Sequence, residues 1–462
     1  MSQIATEIAE WARALRWSDV PADVRAHLSL RFADGVGLVA GAWETPPGRA
    51  VRGVAEDFAG AGAPLLFGRR PVGPAWSALA HGTLVHTLDY DDTFPESVIH
   101  PMSVLLPAAL AGVDAGQDAA DDTDGARVMA AVAAGDEVLA RLGAAAGRDL
   151  HARGFQATGI FGPLAAALVV GVLQRRDPRT IAAAMGLAGS MSGGLLAFLA
   201  DGTWSKRLHP GWAAHGGVTA DALAAREFPG PASVVEGRHG IFDSFLGRTV
   251  DGGAVLAELG RRWPSAEAEF KLYPCAHVLH PFIGMARRLQ AEHTLVPEEI
   301  REIVCVVAPW YVPIVCEPIA EKLAPTSEYQ ARTSLPLSVS LAVLDGTVGT
   351  ASFEPESTSR PELRALAQRV RYEVDESLTE GFGARLTVRT DAGEFVGTPG
   401  PEHDVPGEVR NKFLAVTGPD TGAARELWNT ALGLDTGDVG RLRTSAAAVA
   451  RSWEGTPVRT AH

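Results

Sequence analysis

The stretch HTLDYDDTFPESVIHP (residues 86–101) gathers three carboxylates into four positions and ends on a histidine placed before a proline. Residues of these types bind metals, attack phosphate, exchange protons with carbon or oxygen acids, or simply end a helix. On a helix, His86, Asp89, Tyr90 and Thr93 fall at i, i+3, i+4 and i+7 and share one face. Asp91 and Asp92 then point elsewhere, where capping and solvent are the ordinary fates of such charges. Pro95 is expected to stop this helix. His100 is extended before Pro101, which suits the first turn of the next helix. The partial positive charge of that helix N-terminus favours the neutral imidazole, the form that accepts a proton. His100 is therefore the candidate general acid/base, with Asp89 and Thr93 as its neighbours.

The competing chemistries fit less well. His86 and Asp89 could share a metal ion, but no third ligand follows at fixed spacing, so no metal is expected. DYDDT satisfies the DxDxT pattern of haloacid-dehalogenase-like phosphatases, in which the first Asp attacks phosphorus. That nucleophile needs a buried strand before it, and SALAHGTLVHTL reads as helix. DYDD also satisfies the DxDD proton-donor pattern of class II terpene cyclases, proteins rich in aromatic residues, whereas this chain is 7% aromatic.

Three further stretches carry groups suited to an acidic small molecule. DGTWSKRLHPGWAAHGG (201–217) sets Lys206, Arg207 and His209 at the start of a helix, a plausible carboxylate receptor or, equally, a solvated basic turn. RGFQATGIFGPLAAAL (153–168) places Gln156 and Thr158 in a polar turn before a small-residue helix. It could orient an anion or serve as a packed helix start. EFKLYPCAHVLHP (269–281) holds Lys271, Cys275, His277 and His280 where the texture of the chain changes, and clefts favour such junctions.

The elements that must position these groups follow from the pattern. Residues 1–266 read as successive Ala- and Leu-rich helices punctuated by Gly and Pro, an all-helical domain. Residues 267–402 form a smaller α+β unit: a helix over 282–292, the strand-like run REIVCVVAP, the helix SLPLSVSLAVLDG, a strand at the end of LAQRVRYEVDE, and a hairpin in ARLTVRTDAGEFVG. Residues 403–462 are helical again and are expected to complete the first domain. The fold class is mainly α, a large helical domain with an inserted α+β domain.

Composition narrows the partners. At 46% hydrophobic and 21% charged residues, the 462-residue chain is globular, and no apolar stretch suits a membrane span. A net charge of −14, from 41 basic and 55 acidic residues without a basic run, argues against nucleic acid. Three cysteines without a CxxC pair give neither a disulfide framework nor a structural zinc site. The N-terminus reads as an amphipathic helix and not as a signal peptide, so a cytoplasmic protein is expected.

Taken in order, HGTLVHTLDYDDT…HPMSVLLPAALA, GFQATGIFGPLAAAL, AMGLAGSMSGGLLAFLADGTWSKRLHPGWAAHGG, KLYPCAHVLHP and ARTSLPLSVSLAVLDG resemble the MmgE/PrpD family. This family includes 2-methylcitrate dehydratases, cis-aconitate decarboxylases and iminodisuccinate epimerases. The resemblance implies a helical domain built from both chain ends, an inserted α+β lid, a homodimer, and no cofactor or metal. It also implies a site at Asp89, Thr93, His100, Lys206 and the YPCAHVLH region, acting on small carboxylates. Gln156 stands where the family commonly has histidine. Ala276, between Cys275 and His277, stands where it commonly has cysteine or histidine. The expected function is a cofactor-independent lyase of dehydratase or decarboxylase type, with Gln156, Thr158, His209, Lys271, His277 and His280 binding substrate. An isomerase or epimerase using the same groups is the close alternative. A phosphatase and a non-catalytic binding protein are the alternatives from other classes.

Overall fold

The computed structural model describes residues 3–58, 60–116, 124–378, 381–400, 404–418 and 421–454. Within them the chain divides into two compact units, one mainly helical and one carrying a small sheet.

The helical unit takes Met1–Leu196, Ser205–Phe270 and Pro406–Val458. Its helices are α1 (Ile4–Ala14), α2 (Ala22–Ala42), α3 (Pro46–Asp57), α4 (Pro74–Thr87), α5 (Met102–Asp114), α6 (Gly125–Ala146), α7 (Asp149–Ala152), α8 (Ala157–Leu173), α9 (Pro178–Gly189) and, after the short α10 (Phe198–Asp201) of the other unit, α11 (Ser205–Ala224). Every residue of α8 is buried, as a helix apolar on all faces requires. Small residues let its neighbours approach backbone to backbone. A Cβ on Gly82 of α4 would stand 2.6 Å from Cα of Gly211 in α11, and one on Gly217 of α11 would stand 2.4 Å from Cβ of Ala166 in α8. The sites of α4, α8 and α11 are thus held at distances that larger residues would forbid.

The later helices Val405–Thr417, Gly422–Leu432 and Val439–Ser452 pack into this unit by apolar contact and buried ion pairs. Phe413 lies against Gly37 of α2, where a Cβ would stand 2.5 Å from its ring. Lys412 donates to Asp34 at 2.7 Å, and Arg443 to Asp114 at 2.8 Å. The expected boundary at 402/403 and the chain end beyond 454 lie outside the described residues. No helix among the described residues is long and apolar enough to cross a membrane.

The second unit comprises Lys271–Val405 with the segment Ala197–Trp204. The sequence pattern gives no sign of that segment's place, because its contacts are remote in sequence. Phe198 meets the Tyr329 ring edge-on at 5.6 Å, and Gly202, at φ 68°, leaves no room for a Cβ beside Ser327. Four strands, β1 (Ile300–Val307), β2 (Val370–Val374), β3 (Arg385–Thr390) and β4 (Glu394–Gly397), lie in the order β2-β1-β3-β4. β1 pairs parallel with β2 and antiparallel with β3, and β3–β4 is the expected hairpin, closed by Thr390 and Gly393. Alternation in β3 sends Leu386 and Val388 inward and Arg385 and Arg389 outward. The inward face joins Phe282, Met285, Leu337 and Leu341 from helices His280–His293 and Leu335–Asp345 in one apolar core.

Candidate functional site

Helix α4 stops at Thr87, not at Pro95, because Asp89 adopts φ 51° and takes the chain out of the helix. Aspartate enters this left-handed region more readily than most residues, at a cost of order 1 kcal/mol. Asp89 and Thr93 therefore share no helical face with His86, contrary to what their spacing predicts. Both reach the site from a loop. Thr93 is fixed by two backbone hydrogen bonds with Glu269, at 2.9 and 2.7 Å, and Phe94 N–H donates to Ile99 carbonyl at 2.7 Å. The turn between them puts Val98 at φ 54°, a position that a β-branched residue occupies only under constraint. Non-glycine strain on both sides of Thr93 marks a loop specified by its surroundings.

Asp91 and Asp92 do not face solvent, as their sequence had suggested; each is buried. Asp91 accepts from Nδ1 of His86 at 2.8 Å. Asp92 accepts from Arg31 at 3.0 Å and from the Met102 N–H at 3.0 Å, so it holds α2 to the first turn of α5. Arg31 also donates to Asp136 of α6 at 3.1 Å. Burial lifts the Asp92 carboxyl to about 7, against the opposing pull of Arg31.

His100 sits immediately before Pro101 and α5. Its backbone N–H donates to Thr158 Oγ1 at 3.0 Å, and Ser103 Oγ donates to its carbonyl at 2.8 Å. Its Nδ1 lies 3.0 Å from the carbonyl of Asp92 and 3.3 Å from Thr93 Oγ1. A carbonyl only accepts, so Nδ1 carries the proton and the neutral ring keeps its lone pair on Nε2. The His86 ring lies 4.6 Å away, centroid to centroid.

Lys206 and His209, one turn apart at the start of α11, present one face to this loop. Lys206 Nζ donates to Asp89 at 2.8 Å. His209 Nδ1 bonds Gln156 Oε1, and Gln156 Nε2 lies 3.4 Å from His86 Nε2. Burial, then the charges at His86 and Lys206, push the His209 imidazole down to about 4, so it is neutral near pH 7. His86, Asp89, Thr93, His100, Gln156, Thr158, Lys206 and His209 thus meet in one unit. Lys271, His277 and His280 belong to the other, where His277 stacks on Phe382 at 4.4 Å and tilts against His280 at 4.5 Å.

His86, Asp89 and His100 each offer a ligand atom within 4.8 Å of the others, so His100 supplies the third metal ligand that helical spacing did not. The set would suit a divalent ion. A cation entering there competes with the Lys206 ammonium already on Asp89, and leaves that ammonium in a partly buried place. Positioned proton transfer beside a fixed ammonium fits the donor roles more directly.

Spacing in the sequence does not reveal Asp91, Arg31, Asp136, Asp34 or Lys412 as parts of this arrangement. Asp91 lies five residues after His86, outside helical contact spacing, and only the turn at Asp89 brings them together. Arg31 and Asp136 are 105 residues apart, and their one signal is charge within Ala-rich helices.

A site of clustered histidines, an ammonium on a carboxylate and further buried carboxylates, on a helical unit accompanied by a small mixed sheet, defines a class. The chain matches the MmgE/PrpD N-terminal domain over residues 6–251 and the MmgE/PrpD C-terminal domain over residues 273–404. It belongs to the MmgE/PrpD family. It is 29% identical over 304 residues to the cis-aconitate decarboxylase-like protein oryM of Aspergillus oryzae, covering 63% of this chain and 62% of that protein. It is 26% identical over 303 residues to the cis-aconitate decarboxylase of Aspergillus terreus, covering 63% of this chain and 61% of that one. The mouse cis-aconitate decarboxylase is 26% identical over 367 residues, covering 74% of this chain and 71% of its own. The chain therefore spans about three-fifths of the length of the fungal relatives it matches.

Proposed function

We propose that this protein is a cofactor-independent lyase acting on a small carboxylated substrate, with His100 as the acid/base group. The observation that carries the reading is the contact of His100 Nδ1 with the Asp92 carbonyl, which leaves Nε2 as the acceptor of the neutral ring, in a cluster with Asp89, itself bonded by Lys206. Nε2 takes the proton from a carbon next to a carboxylate, and the C–H electron pair moves into that carboxylate as an enolate. Lys206 stabilises the added charge, and Asp89 and Thr93 orient the reacting groups. In a dehydration the electrons return to break the neighbouring C–O bond, and the imidazolium proton leaves with the hydroxide as water. In a decarboxylation no C–H bond is broken first: the ring takes its proton from solvent, the C–C pair stays on the carbon as carbon dioxide departs, and the imidazolium gives its proton to that carbon. The cis-aconitate decarboxylase relatives favour a lyase of this kind. Reprotonation of the enolate on its other face would make the same site an isomerase. That reading is favoured by Gln156, a neutral amide that cannot itself protonate a leaving group.

The test is turnover of cis-aconitate and of hydroxylated di- and tricarboxylates in deuterated buffer, followed by NMR. Loss of water or carbon dioxide supports the lyase; deuterium exchange or inversion without loss supports the isomerase. His100→Ala should lower kcat by about 10²–10⁴ while leaving the circular dichroism spectrum intact. Near-full turnover in that variant would overturn the assignment.

A further inference from the structure

Lys206 is the second residue of α11, in the turn where a helix is least secured by its own bonds. Pro210, one turn further on, has no N–H, so the helical bond that position 210 would give to the Lys206 carbonyl is missing. The ammonium that pairs with Asp89 at 2.8 Å therefore stands on a turn that its own helix holds weakly. What precedes that turn is built tightly.

The chain leaves the helical unit after Leu196, whose N–H donates to the Gly154 carbonyl at 2.8 Å, and returns to it at Ser205, one residue before Lys206. Between these points, residues 197–204 belong to the sheet unit. Phe198 and Tyr329, each at most 4% exposed, meet edge-on there. Gly202 donates to the Phe198 carbonyl at 2.8 Å, and its left-handed φ and missing Cβ set the backbone directly against Ser327 and Gln330. Those two side chains are themselves fixed. Ser327 Oγ accepts from the Gln330 N–H at 3.2 Å, and Gln330 Oε1 accepts from the Thr326 N–H and hydroxyl at 2.8 and 2.9 Å. Helix Glu328–Arg332 is thus a rigid seat, and only Thr203, Trp204 and Ser205 stand between Gly202 and Lys206. Thr203 gives up slack as well, since its N–H returns to Asp201 at 3.0 Å.

We propose that Phe198, Gly202 and Tyr329 are positioning residues for Lys206: the segment 197–204, seated on helix Glu328–Arg332, holds the first turn of α11 in place and so delivers the ammonium to Asp89. This rests on the reading of Lys206 as the group that stabilises the enolate, and adds what places it there.

The whole protein supplies the test without any substrate. Its four lysines, Lys206, Lys271, Lys322 and Lys412, are all sheltered, so acetic anhydride at limiting dose, followed by mass spectrometry, reports the opening of each separately. Tyr329→Ala should raise the labelling of Lys206 by roughly three- to tenfold, as a local opening does, and leave Lys412 unchanged. Gly202→Ala, which disturbs the same seat from the other side, should do likewise, whereas Phe198→Leu keeps apolar bulk against the Tyr329 ring and should stay close to the wild type. Unchanged Lys206 labelling in either of the first two variants, with a native circular dichroism spectrum, overturns the proposal. So does an equal rise at Lys206 and Lys412, which would mean general loosening. Kinetics on cis-aconitate and the hydroxylated acids form the second arm. Tyr329→Ala should lower kcat/KM by about 10–10², as small misplacements of reacting groups do, and should add nothing in a Lys206→Met background. Losses that add overturn the positioning role and leave the lyase reading standing. Selective labelling of Lys206 without turnover of any of these acids upholds the positioning and overturns the lyase reading.

Discussion

The two units keep their charges in opposite places. In the helical unit Arg31, Asp34, Asp92, Asp136 and Lys412 are each at most 5% exposed and pair with one another. In the sheet unit the strand-to-strand pairs of Arg371 with Glu302 and of Arg389 with Glu302 and Glu394 lie on the outer face, over an apolar core. Lys322 and Arg332 are also buried there, as donors to the backbone carbonyls of Ile314 and Pro274, and Arg332 pairs besides with the half-buried Glu328 one turn away on its own short helix. Buried pairs carry a desolvation cost that their attraction often fails to offset. In the helical unit they converge on one loop. Arg31 ends on Asp92, whose carbonyl holds His100, and Lys412 bonds the Tyr90 carbonyl at 2.6 Å. The difference teaches that this unit buries charge where a loop must have one shape.

The sharpest way to break the contrast is Arg31→Met, which strands Asp92 and Asp136. It should lower the unfolding free energy by about 3–5 kcal/mol, read from urea denaturation. The triple variant Arg31→Met, Asp92→Leu, Asp136→Leu should recover most of that stability and still lose activity, because the Met102 N–H and the loop carrying His100 lose their anchor. Recovery of both would show that the pairs serve stability alone.

Lys412→Met should cost a similar amount, with a pH dependence of known sign. Burial raises the Asp34 carboxyl from 3.8 to about 6, against the pull of Lys412. Between those values the folded protein holds a proton that the unfolded chain has released, so stability falls as pH rises through the window. Without Lys412 the Asp34 value climbs further and the fall extends to higher pH. Urea midpoints measured across the window check both statements; a wild-type midpoint that rises there would refute them.

A smaller effect is expected for Asp91→Asn. The amide can donate as well as accept, so it no longer forces Nδ1–H on His86. Turnover should drop by roughly tenfold or more, as when the carboxylate behind a catalytic imidazole is replaced, with the melting temperature little changed. Smallest of all, Arg389→Ala on the outer face of the sheet should leave the urea midpoint unmoved, since exposed pairs are screened by water. A clear loss there would remove the distinction between the units.

Much of this was legible in the sequence, and the exceptions share a cause. Period and punctuation gave the helices of the first unit and the strand, helix and hairpin of the second, because hydrophobic pattern is a local signal. His100 before Pro101 was readable as the residue ahead of a helix, and Lys206 and His209 as neighbours on one. The end of α4 was not readable. The run up to Asp89 remains helix-compatible, and what holds the turned chain is buried contact, of Arg31 with Asp92 and of Lys412 with the Tyr90 carbonyl. Both cations come from helices distant in sequence, where spacing carries no information. Gln156 is visible in the sequence as a polar residue before a helix and as a departure from the family pattern; its place between two imidazoles is not.

The contact of Gly82 with Gly211 has a further consequence. α4 leads into Asp89, and α11 begins at Ser205, one residue before Lys206, so the separation of the two helices sets the reach of the ammonium to the carboxylate. A methyl group added at either glycine would act as a spacer between reacting groups far from where it was inserted. Descendants of this chain are thus free to vary the surface of α11, but can thicken its inner side only by redrawing the chemistry it serves.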